Sequence, residues 1–264
     1  MVDLYLIRAI IAVFILSINA SIAGSFTIFK DIPFLIVGAA HAALAGAALF
    51  IALAVYGVFN FDPIIGSIIF AIFVAISAAH AKSKVNIAIG ISFAMSMSLA
   101  VLFISLIREQ ASRVWGLLFG DLLLLTNRDI ISMAIITIFV IIIALYFNKE
   151  FLFISFDSEG AKASGIKVNE LNYLLLSLIA VSTVIMVKGV GAILVYAMLV
   201  APAAAANEKA KSVLQVFSIS ALIALISGFS GLFITFYFTI SATAVASLIA
   251  TLFYFFFVIN KKII

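Results

Sequence analysis

The sequence predicts an all-α membrane protein, a polytopic bundle of about nine transmembrane helices. The first observation is composition: of 264 residues, 67% are hydrophobic and only 10% are charged, with mean hydropathy +1.39. A soluble domain carries about a quarter charged residues, so this chain has too little polar surface to face water all round. The second is length. Between charge clusters the apolar stretches reach ~20 residues, which suits a spanning helix and is about twice a barrel strand. The third is physical: in lipid each backbone N–H and C=O must be satisfied within the protein, and helices do this segment by segment.

Charge clusters border spans near 4–26, 34–57, 63–80, 86–106, 129–147, 171–187, 190–206, 212–238 and 243–259. Eight is the alternative count, if 1–30 or 188–206 is broken or peripheral. The first stretch is a span and not a cleaved signal, because Asp3 and Arg8 cancel where a signal needs a basic start. Segment 108–128 is interrupted by Arg113, Gly116, Gly120 and Asp121, and reads as interfacial or re-entrant. The whole chain, 1–264, makes one transmembrane domain.

Lysine and arginine counts in short loops set orientation. One side collects Lys30, Lys82, Lys84, Lys149, Lys162, Lys167, Lys209, Lys211, Lys261 and Lys262. The other holds Arg8, Arg108, Arg113, Arg128 and Lys188. Ten against five puts the first group in the cytoplasm of a multi-pass plasma-membrane protein, with the N-terminus outside and the C-terminus inside. The +4 net charge is thereby explained by orientation. No basic run is dense enough for nucleic acid.

The longest polar loop, 148–170, falls on the cytoplasmic side. Asp157 or Ser158 can cap a short helix, Glu159 would sit in its first turn against the dipole, and Gly165 would end it as a C′ residue. A one-to-two-turn helix at about 158–164 is expected there. Small residues crowd 38–48, 189–206 and 227–231, where they let helices approach closely. Gly38, Gly46, Gly189 and Gly191 are the packing points, and Pro202 permits a kink. Phe- and Ile-rich 251–259 reads as lipid-facing.

Intramembrane polar groups are functional candidates by default. His41 is the one histidine well inside a span, and neutral imidazole suits borderline metals. His80 stands beside Lys82 and Lys84 at the membrane border, as an anchor or an exit ligand. Asp121 either receives an incoming cation or pairs with Arg113 or Arg128. Met95, Met97 and Met198 read as packing. With no cysteine, thiolate sites and cysteine nucleophiles are excluded. There is neither a His-Glu-x-x-His zinc motif nor a Gly-x-Ser-x-Gly stretch, which argues against an intramembrane enzyme.

Four stretches resemble the permeases of the zinc, manganese and iron ABC importers. They are Gly24 to Gly46 with His41; Asn86-Ile87-Ala88-Ile89-Gly90-Ile91-Ser92-Phe93; Leu118-Phe119-Gly120-Asp121-Leu122-Leu123; and Phe156-Asp157-Ser158-Glu159-Gly160-Ala161-Lys162-Ala163 through Gly165, followed by Val190 to Ala206. Their order and spacing cover roughly residues 24–259. The departures sit near His41. Val37 replaces a carboxylate four residues earlier, Ala40 replaces a serine, Asp31 replaces a basic residue, and Thr239–Thr243 differs from Asp-Leu-Pro-Ser-Gly.

The resemblance implies a type II ABC importer fold and a homodimer with its pore on the two-fold axis. It makes 157–165 a coupling helix in a groove of a cytoplasmic ATPase, with Phe156, Asp157, Glu159, Gly160, Ala161 and Gly165 as the coupling residues. It also implies an external metal-binding receptor protein. The sequence has no phosphate-cradling Gly-x-x-x-x-Gly-Lys-Ser/Thr motif. ATP would therefore bind the partner subunit, this chain would hold no cofactor of its own, and its cargo would be a divalent transition metal ion. The alternatives are an ion-coupled secondary transporter, for which only His41 qualifies at mid-membrane, and a permease for another small substrate.

Overall fold

The computed structural model describes residues 4–81 and 84–261. Lys82 and Lys262 lie outside the described residues, as do the side chains of Arg108, Arg113 and Lys261. The described chain is helical throughout its spans. The first span is continuous but not uniform: α1 (Leu4–Asn19) passes through a π-helical segment (Ala20–Gly24) into α2 (Ser25–Phe29). At the start of the break, the fully buried Asn19 donates its amide to the Ile15 carbonyl at 2.9 Å and to Thr137 Oγ1 at 2.7 Å. At its end, Gly24 lies directly on the Leu199 carbonyl, where no Cβ fits.

Next come α3 (Phe34–Val55), α4 (Pro63–His80) and α5 (Val85–Leu106), then the short α6 (Ala111–Phe119) behind a 3₁₀ turn. Helix α7 (Asn127–Tyr146) begins at a capping box formed by Thr126 and Asp129. Asp62 caps α4 by accepting from the Ile64 N–H, and Pro63 occupies the first helical position, where its missing N–H costs nothing. After α8 (Asn148–Phe156) and α9 (Ser158–Ala163) come α10 (Val168–Val190), α11 (Val195–Lys209), α12 (Val213–Thr235) and α13 (Ala242–Lys261).

Among the described residues, eight helices are long and apolar enough to cross a bilayer. Helix α11, at 15 residues, is only about 22 Å long, short of the ~30 Å hydrocarbon core. It nevertheless joins opposite faces. The turn before it is bonded to the end of α6, from Ala192 N to Leu117 O at 3.0 Å and from Ile193 N to Leu118 O at 3.1 Å. At its far end Lys209 Nζ lies 5.7 Å from the centre of the Phe257 ring near the end of α13. The chain thus traverses the bundle nine times, with one short passage. The expected spans match these helices closely, and 108–119 is a short helix instead of a crossing.

The small-residue segments pack as expected. Gly46 of α3 and Gly66 of α4 meet backbone to backbone, so that a Cβ on either would strike the other's carbonyl. A Cβ on Gly38 would stand 3.0 Å from Ile89, and one on Gly189 would stand 2.9 Å from Leu16. By contrast Leu252, Phe255, Phe256 and Ile259 of α13 are exposed, as a lipid-facing surface requires. One expectation needs correction. Residues 148–156 are not loop but helix α8, whose Phe151 and Ile154 are buried. Phe147, Phe151 and Ile154 fall at helical spacing on one side, a pattern hidden by the surrounding charges.

Candidate translocation path and docking helix

Two faces organise the polar residues. Around α6, Arg128 pairs with Asp62 at 3.2 Å, and Lys188 pairs with Asp129 at 3.0 Å, tying α7 to α4 and to α10. On the same face Gly120 and Gly191, both at positive φ (63° and 91°), press their backbones together. A side chain on either would collide with the opposite main chain. Gly191 therefore acts in a turn, outside any helix.

The opposite face carries α8 and α9. Asp157 accepts from the Gly160 N–H at 2.8 Å and caps α9. Gly160 leaves room for that carboxylate, which a Cβ would overlap. The helix closes in a Schellman motif: Ile166 N bonds Ala161 O and Gly165 N bonds Lys162 O, both at 3.1 Å. Gly165 sits at φ 80° with open space around it, so glycine is required there for conformation and not for room. Ala161 is fully buried, Glu159 is exposed, and Phe156 projects from the hinge between α8 and α9. A cleft of about 370 Å³ between α9 and the start of α10 is edged by Glu159, Lys162, Lys167 and Glu170.

Helix α8 braces this unit against the first span. The Phe26 ring meets Phe151 and Phe217 edge-on at 5.7 and 5.5 Å, and Phe29 packs on Phe156 at 5.3 Å. Lys30 Nζ donates to the Ile154 carbonyl in the last turn of α8, at 3.4 Å. Burial lowers the Lys30 ammonium below its ordinary pKa, because desolvation disfavours the charged form. Nothing in the sequence marked this aromatic brace beyond the spacing of the phenylalanines.

His41 lies inside α3. Phe34, Val37 and His41 are the less enclosed residues of this part of the helix and fall on one side at spacings of three and four. Phe93 of α5 lies across them, 6.3 Å from Phe34 and 4.8 Å from the imidazole, edge-on. His41 Nδ1 is 2.9 Å from the Val37 carbonyl. A carbonyl can only accept, so Nδ1 carries a proton and Nε2 is the nitrogen left free of that bond. The side chain of Val37 lies beside the imidazole on the same stripe.

The predicted path residues are not brought together. His80 hydrogen-bonds the Tyr173 hydroxyl at 3.1 Å on the α8–α9 face, an anchoring contact between α4 and α10. Asp121 accepts from the Leu123 N–H at 2.8 Å in the turn after α6. Arg128, its expected partner, is taken by Asp62, and the Arg113 side chain lies outside the described residues. Met198 is buried, as packing requires, whereas Met95 is exposed on α5. Among the described residues no three His, Cys, Asp or Glu side chains gather as a metal cage.

A family profile described as the ABC 3 transport family matches residues 3–261. The chain belongs to the ABC 3 transport family. Within it, the manganese transport system membrane protein MntC of Listeria innocua is 31% identical over 255 residues, covering 95% of this chain and 89% of that protein. The high-affinity zinc uptake system membrane protein ZnuB of Haemophilus influenzae is 27% identical over 253 residues, covering 94% and 95%. Among solved structures, PsaBC from Streptococcus pneumoniae in complex with Fab superimposes with TM-score 0.85 at 29% identity, covering 97% of this chain and 91% of that one. The family is one of membrane permeases, in keeping with the membrane-spanning helices.

Proposed function

We propose that this chain is the membrane-spanning subunit of an ATP-driven importer for a divalent transition metal, manganese or zinc, the ions in the names of its relatives. The observation that carries the reading is α9. It is a short exposed helix, fixed at both ends by a cap and a Schellman closure, and braced by α8 onto the first span. Such a shape suits docking into a groove of a cytoplasmic ATPase that binds ATP. Phe156, Glu159 and Gly165 then belong to the contact, with Asp157, Gly160 and Ala161 holding its form.

In this reading the α8–α9 face is cytoplasmic, the N-terminus is outside and the C-terminus is inside. Two copies pair about a two-fold axis, and an external receptor delivers the metal to the α6 face. His41 lines the path. Its Nε2 offers one nitrogen ligand, and Val37 supplies no second, so the ion meets a brief stop suited to transit. His80 and Asp121 act in structure, at the border and in a turn.

The test is co-purification of the permease with the ATPase, before and after Glu159→Lys combined with Gly165→Val. Loss of the ATPase with intact membrane insertion supports the docking role. Normal metal uptake by that double variant, or labelling of α9 by an impermeant reagent outside intact cells, overturns it.

A further inference from the structure

Where the first span breaks into its π-helical segment, the bundle leaves an apolar groove of about 220 Å³ between that span, α7 and α12. Ile22 and Phe26 form one wall, Ile141 and Leu145 of α7 another, and Leu214 and Phe217 of α12 the third. The buried Ala144 makes a small floor. Ser21 ties two of the walls together at one point, donating to the Phe217 carbonyl at 2.6 Å. The rims, Leu145 and Leu214, are 72% and 76% exposed, so the groove opens sideways onto the membrane.

Its mouth lies on the α8–α9 face, at Asn148. Lys149 follows Asn148, Lys211 stands just before the helix that supplies Leu214, and both are exposed. Neither enters an ion pair among the described residues. Glu150 beside Lys149 and Glu208 three residues before Lys211 are the acidic neighbours in sequence, and both are part-buried. An apolar slot open to lipid, with two solvated cations at its headgroup end, matches one acyl chain beneath an anionic head.

A protein occupant fits less well. At a two-fold contact the same patch would meet itself, bringing like lysines together. We propose that this groove is a binding site for an anionic phospholipid. One chain lies against the π-helical break and the phosphate lies between Lys149 and Lys211. The lipid would then buttress the first span where its hydrogen-bond ladder changes register.

The experiment uses the full-length permease in nanodiscs of phosphatidylcholine. They are doped with phosphatidylglycerol or phosphatidylcholine carrying a photoreactive group on one acyl chain, and adducts are mapped by peptide mass spectrometry. Adducts should concentrate on 141–148 and 214–217, with the phosphatidylglycerol probe favoured about fivefold per lysine. Lys149→Gln with Lys211→Gln should bring it down to the phosphatidylcholine level. Ala144→Phe, which fills the floor, should cut labelling there about tenfold while leaving labelling of α13 at Leu252 and Phe255 unchanged. If Ala144→Phe does not fold, Leu145→Trp at the exposed rim should close the same slot.

Labelling that merely follows exposure along every span overturns the proposal. So does equal capture of both probes, or an adduct blocked by cross-linked pairing of two copies.

Discussion

The α8–α9 unit and the His41 stripe, which the proposed function makes a docking element and a transit ligand, are built in opposite ways. Helix α9 is fixed repeatedly: an Asp157 cap, a Schellman closure, a buried Ala161 and an aromatic brace through Phe29 and Phe156. His41 has one backbone anchor and one aromatic neighbour. A docking element must keep its shape while force passes through it. A transit ligand must let go, and a lone imidazole beside a valine binds a cation more weakly than a full cage does.

The widest break in that comparison should come from Glu159→Lys with Gly165→Val. A β-branched residue at φ 80° costs at least the ~1–2 kcal/mol of a left-handed residue, and the charge reversal acts on the contact itself. ATPase co-purification should fall at least tenfold, while detergent-extracted monomer yield stays the same. Asp157→Ala should weaken the same association less, since a lost N-cap costs about 1 kcal/mol. A titration of ATPase against permease should show a fewfold loss.

Val37→Asp would sharpen the contrast from the other side. It places a carboxylate beside the imidazole on the open stripe, four residues before it. Metal retention in equilibrium dialysis should rise about tenfold or more, and turnover in vesicle uptake should fall. His41→Ala in the same assay should lower uptake without changing ATPase association, which separates the two regions cleanly.

The smallest effect concerns Lys30. Its lowered pKa means that the folded state binds fewer protons than the unfolded one just below pH 10.5. Stability should therefore rise slightly as pH increases through that window. Lys30→Met should flatten the rise in a thermal-melt series.

Much of this was legible in the residues. Eight of the traverses followed from hydropathy and length, and the short ninth, α11, lay between the two counts that the sequence left open. The α9 cap and stop followed from Asp157 and Gly165, because local backbone chemistry acts within a few residues. Helix α8 was not legible, since its buried side is only Phe151 and Ile154 among charged neighbours. The fate of Asp121 was missed for another reason: Arg128 had two carboxylates within reach of the same face, and only the packed helices bring Asp62 to it.

By itself, then, the sequence determined the solvent, eight of the passages and the bounds of α9. All of these depend on segment composition or on contacts within one turn. Tertiary structure alone decided the π-helical break over the Leu199 carbonyl, the backbone clasp of Gly120 with Gly191 and the brace of α8. Each of those joins residues far apart in the chain, and their meeting depends on how whole helices pack against one another.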